Sequence, residues 1–307
     1  MFEHEMTAVA ASAAAKAGLL KKGRGRYLLA SVLAGLYVGF GVLAMSTTGG
    51  VLTLGGHPLA KIINAAVFPV ALSLVVFAGS ELFTGNTFVM TAGWLCGRRE
   101  KRKAQAKCGT ADITRSGAVA SGTADAGIET QRADAKEAAL PASSVSGAEL
   151  AGVWAVSYLG NLLGSVLCAL LFAATGLLSG GTLEFVLSTS AAKMSLSVPE
   201  LLSRGILCNI LVCLAVWCCT RMKSESGKLI MIFWCIFAFV ICGFEHSIAN
   251  MTMLTLSLLA PHGAEISLTG MAYNLFFVTL GNVIGGAAVV GLGYFHISGG
   301  SRGRSSF

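Results

Sequence analysis

The sequence predicts an all-α integral membrane protein: six transmembrane helices arranged as two inverted three-helix repeats, with the second and fifth helices interrupted. Three observations predict it. Hydrophobic residues make up 54% of the 307 residues and charged residues only 12%, with a mean hydropathy of +0.73, which excludes an ordinary soluble domain. The apolar residues fall into six segments, at about 27–46, 62–95, 149–178, 201–220, 229–259 and 270–297, and a helix needs about 20 residues to cross the hydrocarbon. Two of these segments carry the same polar residues at one constant offset: Gly79, Glu81 and Asn86 in the second, Gly243, Glu245 and Asn250 in the fifth.

Residues 1–26 are Ala-rich and end in Lys21-Lys22-Gly23-Arg24-Gly25-Arg26, which reads either as a short amphipathic helix on the cytoplasmic surface or as a frayed tail. Residues 27–96 hold the first two transmembrane segments. The second is too long for one simple crossing, and tilt absorbs only part of the excess. Its middle is interrupted by Gly79-Ser80-Glu81-Leu82-Phe83-Thr84-Gly85-Asn86, so a broken helix is expected. Residues 97–148 open with a basic run and continue in Ala, Gly, Ser and Thr, with few large apolar side chains. Such a stretch cannot bury enough surface to offset its ordering entropy, which predicts a largely disordered cytoplasmic insertion. Its basic start either rests on anionic lipid heads or is simply solvated.

Residues 149–297 hold the third to sixth transmembrane segments, and 298–307 form a tail. The third and sixth echo each other as well, in Leu159-Gly160-Asn161 with Gly164 and Leu280-Gly281-Asn282 with Gly285. Each repeat therefore has three crossings. An odd number forces the copies to run in opposite senses, and paired broken helices in inverted repeats point to a transport site near the midplane. The glycines of both echoes have the small-xxx-small spacing that lets helices approach closely.

All but three of the 22 Lys and Arg (Lys61, Lys193 and Arg204) lie on one side of this topology, which places both termini and the 97–148 insertion in the cytoplasm. The net charge of +7 is thus a membrane signature rather than a nucleic-acid one. Of the nine cysteines, all but Cys108 fall in or beside apolar segments and none forms a CxxC pair, so they read as small packing residues.

The centre of the fifth segment, Gly243-Phe244-Glu245-His246-Ser247-Ile248-Ala249-Asn250, puts a carboxylate and an imidazole inside hydrocarbon. That is expensive, and in a membrane it marks function by default; the structural alternative is a histidine satisfied by the backbone. Glu81, Glu245, Asn86 and Asn250 recur in both repeats, so they are expected to brace the two breaks, the glutamates by accepting backbone N–H bonds. An integral-membrane enzyme using Glu245 and His246 as acid and base is the alternative of a different class. It would need a metal cluster or nucleophile motif, and HExxH and P-loop patterns are absent, so neither an enzyme nor a cofactor is expected.

At Gly79–Asn86, Ser157–Gly164, Cys208–Trp217, Gly243–Met251, Val278–Asn282 and Gly291–Tyr294 the chain resembles the formate/nitrite transporter family, over nearly all its length outside 97–148. The wording of these motifs is nearest the bacterial nitrite-transport branch. The resemblance implies an aquaporin-like protomer with its own pore, a homopentamer, and a place in the inner membrane. It implies transport of a small monovalent anion, nitrite first, with formate, hydrosulfide or lactate as alternatives, by channel-like or proton-linked passage. Protons, lipid and copies of the chain are then the partners.

By the same resemblance the pore histidine falls on His246, its threonine partner on Thr84, a vestibule lysine on Lys193, polar pore asparagines on Asn209 and Asn282, and apolar constrictions on Phe68, Leu72, Leu82 and Phe239. The physics of these types fits a pore. Lys193 either concentrates anions or snorkels to the interface. Rings of Leu and Phe exclude a bare charge but not a neutral acid. A histidine, titrating near pH ~6.5, can supply or receive the proton. Asn209 and Asn282 either offer amides to the substrate or satisfy backbone freed by the broken helices. The long 97–148 insertion departs from the family pattern.

Overall fold

A computed structural model of the protein describes residues 1–54, 56–118 and 144–299. Its described residues are helical, with six helices or helix pairs long and apolar enough to span a membrane: Arg24–Leu52, Ala60–Gly79, Gly147–Ala174, Val198–Arg221, Glu225–Cys242 and Leu268–Ile297. In chain order the elements are α1 (Glu3–Lys22), α2 (Arg24–Leu54), α3 (Ala60–Val67), α4 (Val70–Leu74) with a π-helical turn (Val75–Gly79), and α5 (Phe83–Ala118). Then come α6 (Gly147–Ala174), α7 (Gly180–Met194), α8 (Val198–Arg221), α9 (Glu225–Cys242) and α10 (Ser247–Leu259). Last are α11 (Leu268–Val283), a π-helical stretch (Ile284–Leu292) and α12 (Gly293–Ile297).

Both expected breaks are present, and one backbone property makes them. Gly79 (φ 78°) and Gly243 (φ 76°) end their half-helices in the left-handed region, where glycine carries no Cβ penalty. The chain then runs extended for a few residues and a second half-helix begins, α5 in one repeat and α10 in the other. Other helices start on sequence-encoded caps. Ser146 and Glu149 form a reciprocal capping box on α6, Ser197 and Glu200 do the same on α8, and Ser224 and Ser267 cap α9 and α11.

The two copies pack alike. A Cβ on Gly164 of α6 would run into the Val32 carbonyl of α2, and a Cβ on Gly285 would run into the Ile206 carbonyl of α8. Val32 and Ile206 occupy the same position in the two repeats, so α6 lies on α2 as the end of α11 lies on α8. The small residues set these close approaches, as their spacing predicts.

One open alternative is decided and two expectations change. Residues 1–26 do not fray: α1 is docked, burying Met6, Val9, Ala10, Ala13 and Ala17. The segment from residue 97 is not irregular from its start, because α5 continues through Ala118; the capacity of an Ala- and Lys-rich stretch to extend an existing helix outweighs its poverty in apolar side chains. Its remainder, 119–143, lies outside the described residues, as does 300–307 of the tail. Finally, α7 is an additional helix between the third and fourth crossings. It is too short to span a membrane, yet it buries Val186, Ser190 and Met194 and holds Lys193 in its last turn.

Candidate functional site

The two breaks converge. Thr84 is the second residue of α5, and His246 is the N-cap of α10; Thr84 Oγ1 and His246 Nε2 are 3.1 Å apart. Two half-helices therefore begin against each other, and the positive ends of both dipoles meet at this pair. Such an end favours negative charge.

The hydrogen bonds fix the tautomer of His246. Its Nδ1 accepts the backbone N–H of Ala249 at 3.1 Å and so carries no proton. The neutral ring keeps its proton on Nε2 and donates it to Thr84 Oγ1. An imidazolium needs a proton on Nδ1 too, which breaks the cap of α10. Charge on His246 and integrity of this helix start are thus mutually exclusive.

Two cavities meet at His246. One is open, about 610 Å³, and lined among others by Lys193, Glu245, Phe68 and Phe239. The other is small, about 10 Å³, room for about one water molecule, and lined by buried side chains. Its lining is Val38, Phe68, Ala71, Leu72, Leu82, Val212, Ile236, Phe239 and His246. Phe68, Phe239 and His246 line both. The rings of Phe68 and Phe239 meet edge to face at 5.7 Å, and Phe239 stacks on His246 at 5.9 Å. The aromatic pair and the imidazole therefore separate the cavities, with Leu72 and Leu82 beyond them.

The residues around the breaks form two matched clusters. Glu81 accepts Lys16 Nζ at 2.7 and 2.8 Å, Tyr27 Oη at 2.9 Å and Asn86 Nδ2 at 3.1 Å. Glu245 accepts Lys193 Nζ at 2.7 Å and Asn250 Nδ2 at 2.6 Å. Asn250 Nδ2 also reaches Asn274 Oδ1 at 2.8 Å, and Asn274 Nδ2 donates to the Lys193 carbonyl at 2.9 Å. A second matched pair holds the helix starts. Asn161 Oδ1 accepts Phe83 N at 2.9 Å, while its Nδ2 donates to the carbonyls of Ser31 and Glu81. Asn282 Oδ1 accepts Ser247 N at 2.9 Å, while its Nδ2 donates to those of Gly205 and Glu245.

These positions bear on several of the residues singled out from sequence. Asn282 is fully buried, lines neither cavity and spends its amide on the backbone, so bracing prevails over contact with substrate. Asn209 is likewise buried off both cavities, its Nδ2 facing the Asn282 carbonyl at 2.6 Å, Thr87 Oγ1 at 2.9 Å and the Thr84 carbonyl at 3.2 Å. Thr84 is fully buried behind His246 and lines neither cavity. Lys193 lines the open cavity but is neither a free cation nor a lipid anchor. Its charge is matched by a carboxylate whose side chain is only 3% exposed. Glu81 and Glu245 brace the breaks by binding lysine and asparagine side chains rather than backbone N–H groups, because the asparagines Asn161 and Asn282 already occupy that role.

Four residues of these clusters have no site role in the sequence reading: Lys16, Tyr27, Asn161 and Asn274. A signal existed for two. Asn161 stands in the same Leu-Gly-Asn echo as Asn282, and Ala14-Ala15-Lys16 is matched by Ala191-Ala192-Lys193. Tyr27 and Asn274 do not correspond to each other, and nothing in the repeat marks them.

The chain matches the formate/nitrite transporter family over residues 3–110 and 138–296. It is 34% identical to the nitrite transporter NirC of Escherichia coli (strain K12), over 96% of this chain and 92% of that one. It is 33% identical to a probable formate transporter of Methanothermobacter thermautotrophicus, over 89% of this chain and 88% of the other. Among solved structures it is similar to an FNT family ion channel, with a TM-score of 0.74 and 32% identity, covering 96% of this chain and 98% of that one. It is also similar to a pentameric formate channel with formate bound, with a TM-score of 0.65 and 25% identity, covering 90% and 98%.

Proposed function

The chain belongs to the formate/nitrite transporter family, and from that premise we propose that it carries nitrite across the membrane past His246, with formate as the alternative substrate. Membership of a transporter family sets aside the enzyme built on Glu245 and His246, and the carboxylate of Glu245 is in any case bound by Lys193 and Asn250.

One observation carries the mechanism: among the described residues, His246 is the only polar side chain lining the small inner cavity. A bare monovalent anion is strongly disfavoured between Phe68, Phe239, Leu72 and Leu82, whereas the neutral acid is not. The converging helix starts and the Nε2–H of His246 favour the anion up to that point. For the anion to go on as the neutral acid, Nδ1 first takes up a proton from water in the open cavity, releasing Ala249 N, and Nε2 of the imidazolium then gives its proton to the anion, which leaves a neutral ring. An N-cap bond is worth about 1 kcal/mol, small enough for the ring to switch. Thr84 holds the Nε2 proton in place when no anion does. The relative named NirC supports nitrite, and the relatives named formate transporter and formate channel support formate.

The pentamer carried by the formate channel's description supports a homopentamer here. The one-sided distribution of basic residues supports a reading with both termini and the 97–148 segment on the cytoplasmic side of an inner membrane and the open cavity facing outward. Protease access to the 97–148 segment in intact cells tests that orientation: protection is expected, and cleavage from outside contradicts it. Side-by-side uptake of nitrite, formate, hydrosulfide and lactate into proteoliposomes tests the substrate. Nitrite is expected to pass fastest, and a clear preference for another of the four overturns that choice.

A further inference from the structure

With Lys193 committed to Glu245, the open cavity needs another cation if it is to attract anions, and Lys61 is placed to be that cation. Arg204 also lines the cavity, but its guanidinium is paired with Glu200 at 3.2 Å. Lys61 lines the same cavity from the first turn of α3, is exposed, and has no carboxylate within ion-pair distance among the described residues. One turn below it, on the same face of α3, stands Asn64, which also lines the cavity and is only 8% exposed. Its Oδ1 is one of three acceptors facing the Thr48 hydroxyl, at 2.8 Å beside the carbonyls of Ala44 at 2.8 Å and Met45 at 3.2 Å, and its Nδ2 has no acceptor among the described residues. The next turn on that face brings Phe68, the aromatic partner of Phe239 at the constriction. A cation, a free amide donor and the constriction thus descend one helix face at the i, i+3, i+7 spacing.

We propose that Lys61 and Asn64 form a collecting site for small monovalent oxyanions at the mouth of the open cavity. Lys61 raises the local anion concentration, and Asn64 Nδ2 takes the anion's oxygen on its way to Phe68 and His246. This rests on the reading of the chain as an anion transporter. Lys193, by contrast, is a structural cation at this mouth. The charge acts across open water, so its effect is screened by salt: the Debye length falls from about 30 Å at 0.01 M to about 3 Å at 1 M.

The test is nitrite flux into proteoliposomes of the full chain at low and high ionic strength, for wild type, Lys61→Gln, Lys61→Arg and Asn64→Leu. Oligomer formation is measured beside each. At about 0.01 M salt, Lys61→Gln is expected to slow flux by about tenfold, the lower end of the enhancement that focused charge gives. The deficit should close at high salt, and Lys61→Arg should behave as wild type. Asn64→Leu should lower flux at both salt concentrations, because a hydrogen bond is not screened as a distant charge is. If Lys61→Gln matches wild type at low salt, or loses assembly with unchanged flux per assembled protein, the lysine is a membrane anchor and the proposal is overturned. If wild type carries none of the four anions, it is instead the transport reading that fails.

Discussion

The break between α4 and α5 and the break between α9 and α10 are built on the same plan, and they differ at the residues to which we assign the transport chemistry. Gly79 matches Gly243, Glu81 matches Glu245, and Asn86 matches Asn250. Each glutamate holds a lysine from a short helix that precedes its repeat, and each second half-helix starts on an asparagine from a neighbouring crossing. Between these matched positions the two copies diverge. Glu81-Leu82-Phe83-Thr84 faces Glu245-His246-Ser247-Ile248, so the imidazole corresponds to Leu82 and the hydroxyl of Thr84 to Ile248. His246 and Thr84 thus meet across the centre, each supplied by one copy alone. What is repeated holds the fold, and what is not repeated is the pair through which we propose the anion is handled, His246 at the cavities with Thr84 behind it.

That division can be broken from the scaffold side first. Lys193→Ala leaves Glu245 charged and buried, which costs about 3–5 kcal/mol. It should lower the thermal stability of the detergent-solubilised protein at every salt concentration, rather than slow flux only at low salt. Lys16→Ala should do less, roughly 1–2 kcal/mol. Glu81 keeps Tyr27 and Asn86, and its side chain is 13% exposed against 3% for Glu245. Equal losses for the two would mean that the difference in burial is immaterial and the comparison needs redrawing.

Asn161→Leu and Asn282→Leu should each cost about 1–3 kcal/mol and resemble each other closely, since each strands one helix-start N–H and frees two carbonyls. A variant of Asn282 that changed substrate preference while leaving stability intact would return it to the pore. Thr84→Val removes one neutral hydrogen bond and should cost only about 1 kcal/mol, with Thr84→Ser near wild type. Its larger effect should be on flux, because Nε2 of His246 loses its resting acceptor.

The fold was legible because its signals are repeated and physically coarse: six apolar segments, two interrupted by Gly-containing polar stretches, and a one-sided distribution of Lys and Arg. The centre was legible in the cost of placing Glu245 and His246 in hydrocarbon. What stayed hidden was how polar groups pair across the chain. Lys193 looked like a free cation because the sequence shows a charge without its partner, and Glu245 lies 52 residues on. Asn282 was set apart from Asn161 although the two share one motif; their repeat was the better guide to their role. α7 was missed because it is too short to span, and the helical start of the 97–148 segment because composition says little about a stretch that continues an existing helix.

The central claim, that the unmatched pair carries the chemistry, is tested most directly at His246. His246→Asn keeps a polar side chain at the cap of α10 but cannot titrate. The measurement is nitrite flux into proteoliposomes from about pH 5 to 8, the range in which histidine normally titrates. The variant should assemble as wild type does, with stability nearly unchanged, while the pH dependence of its flux departs from the wild-type profile. Superimposable profiles for wild type and His246→Asn would make His246 one more scaffold residue and contradict the account.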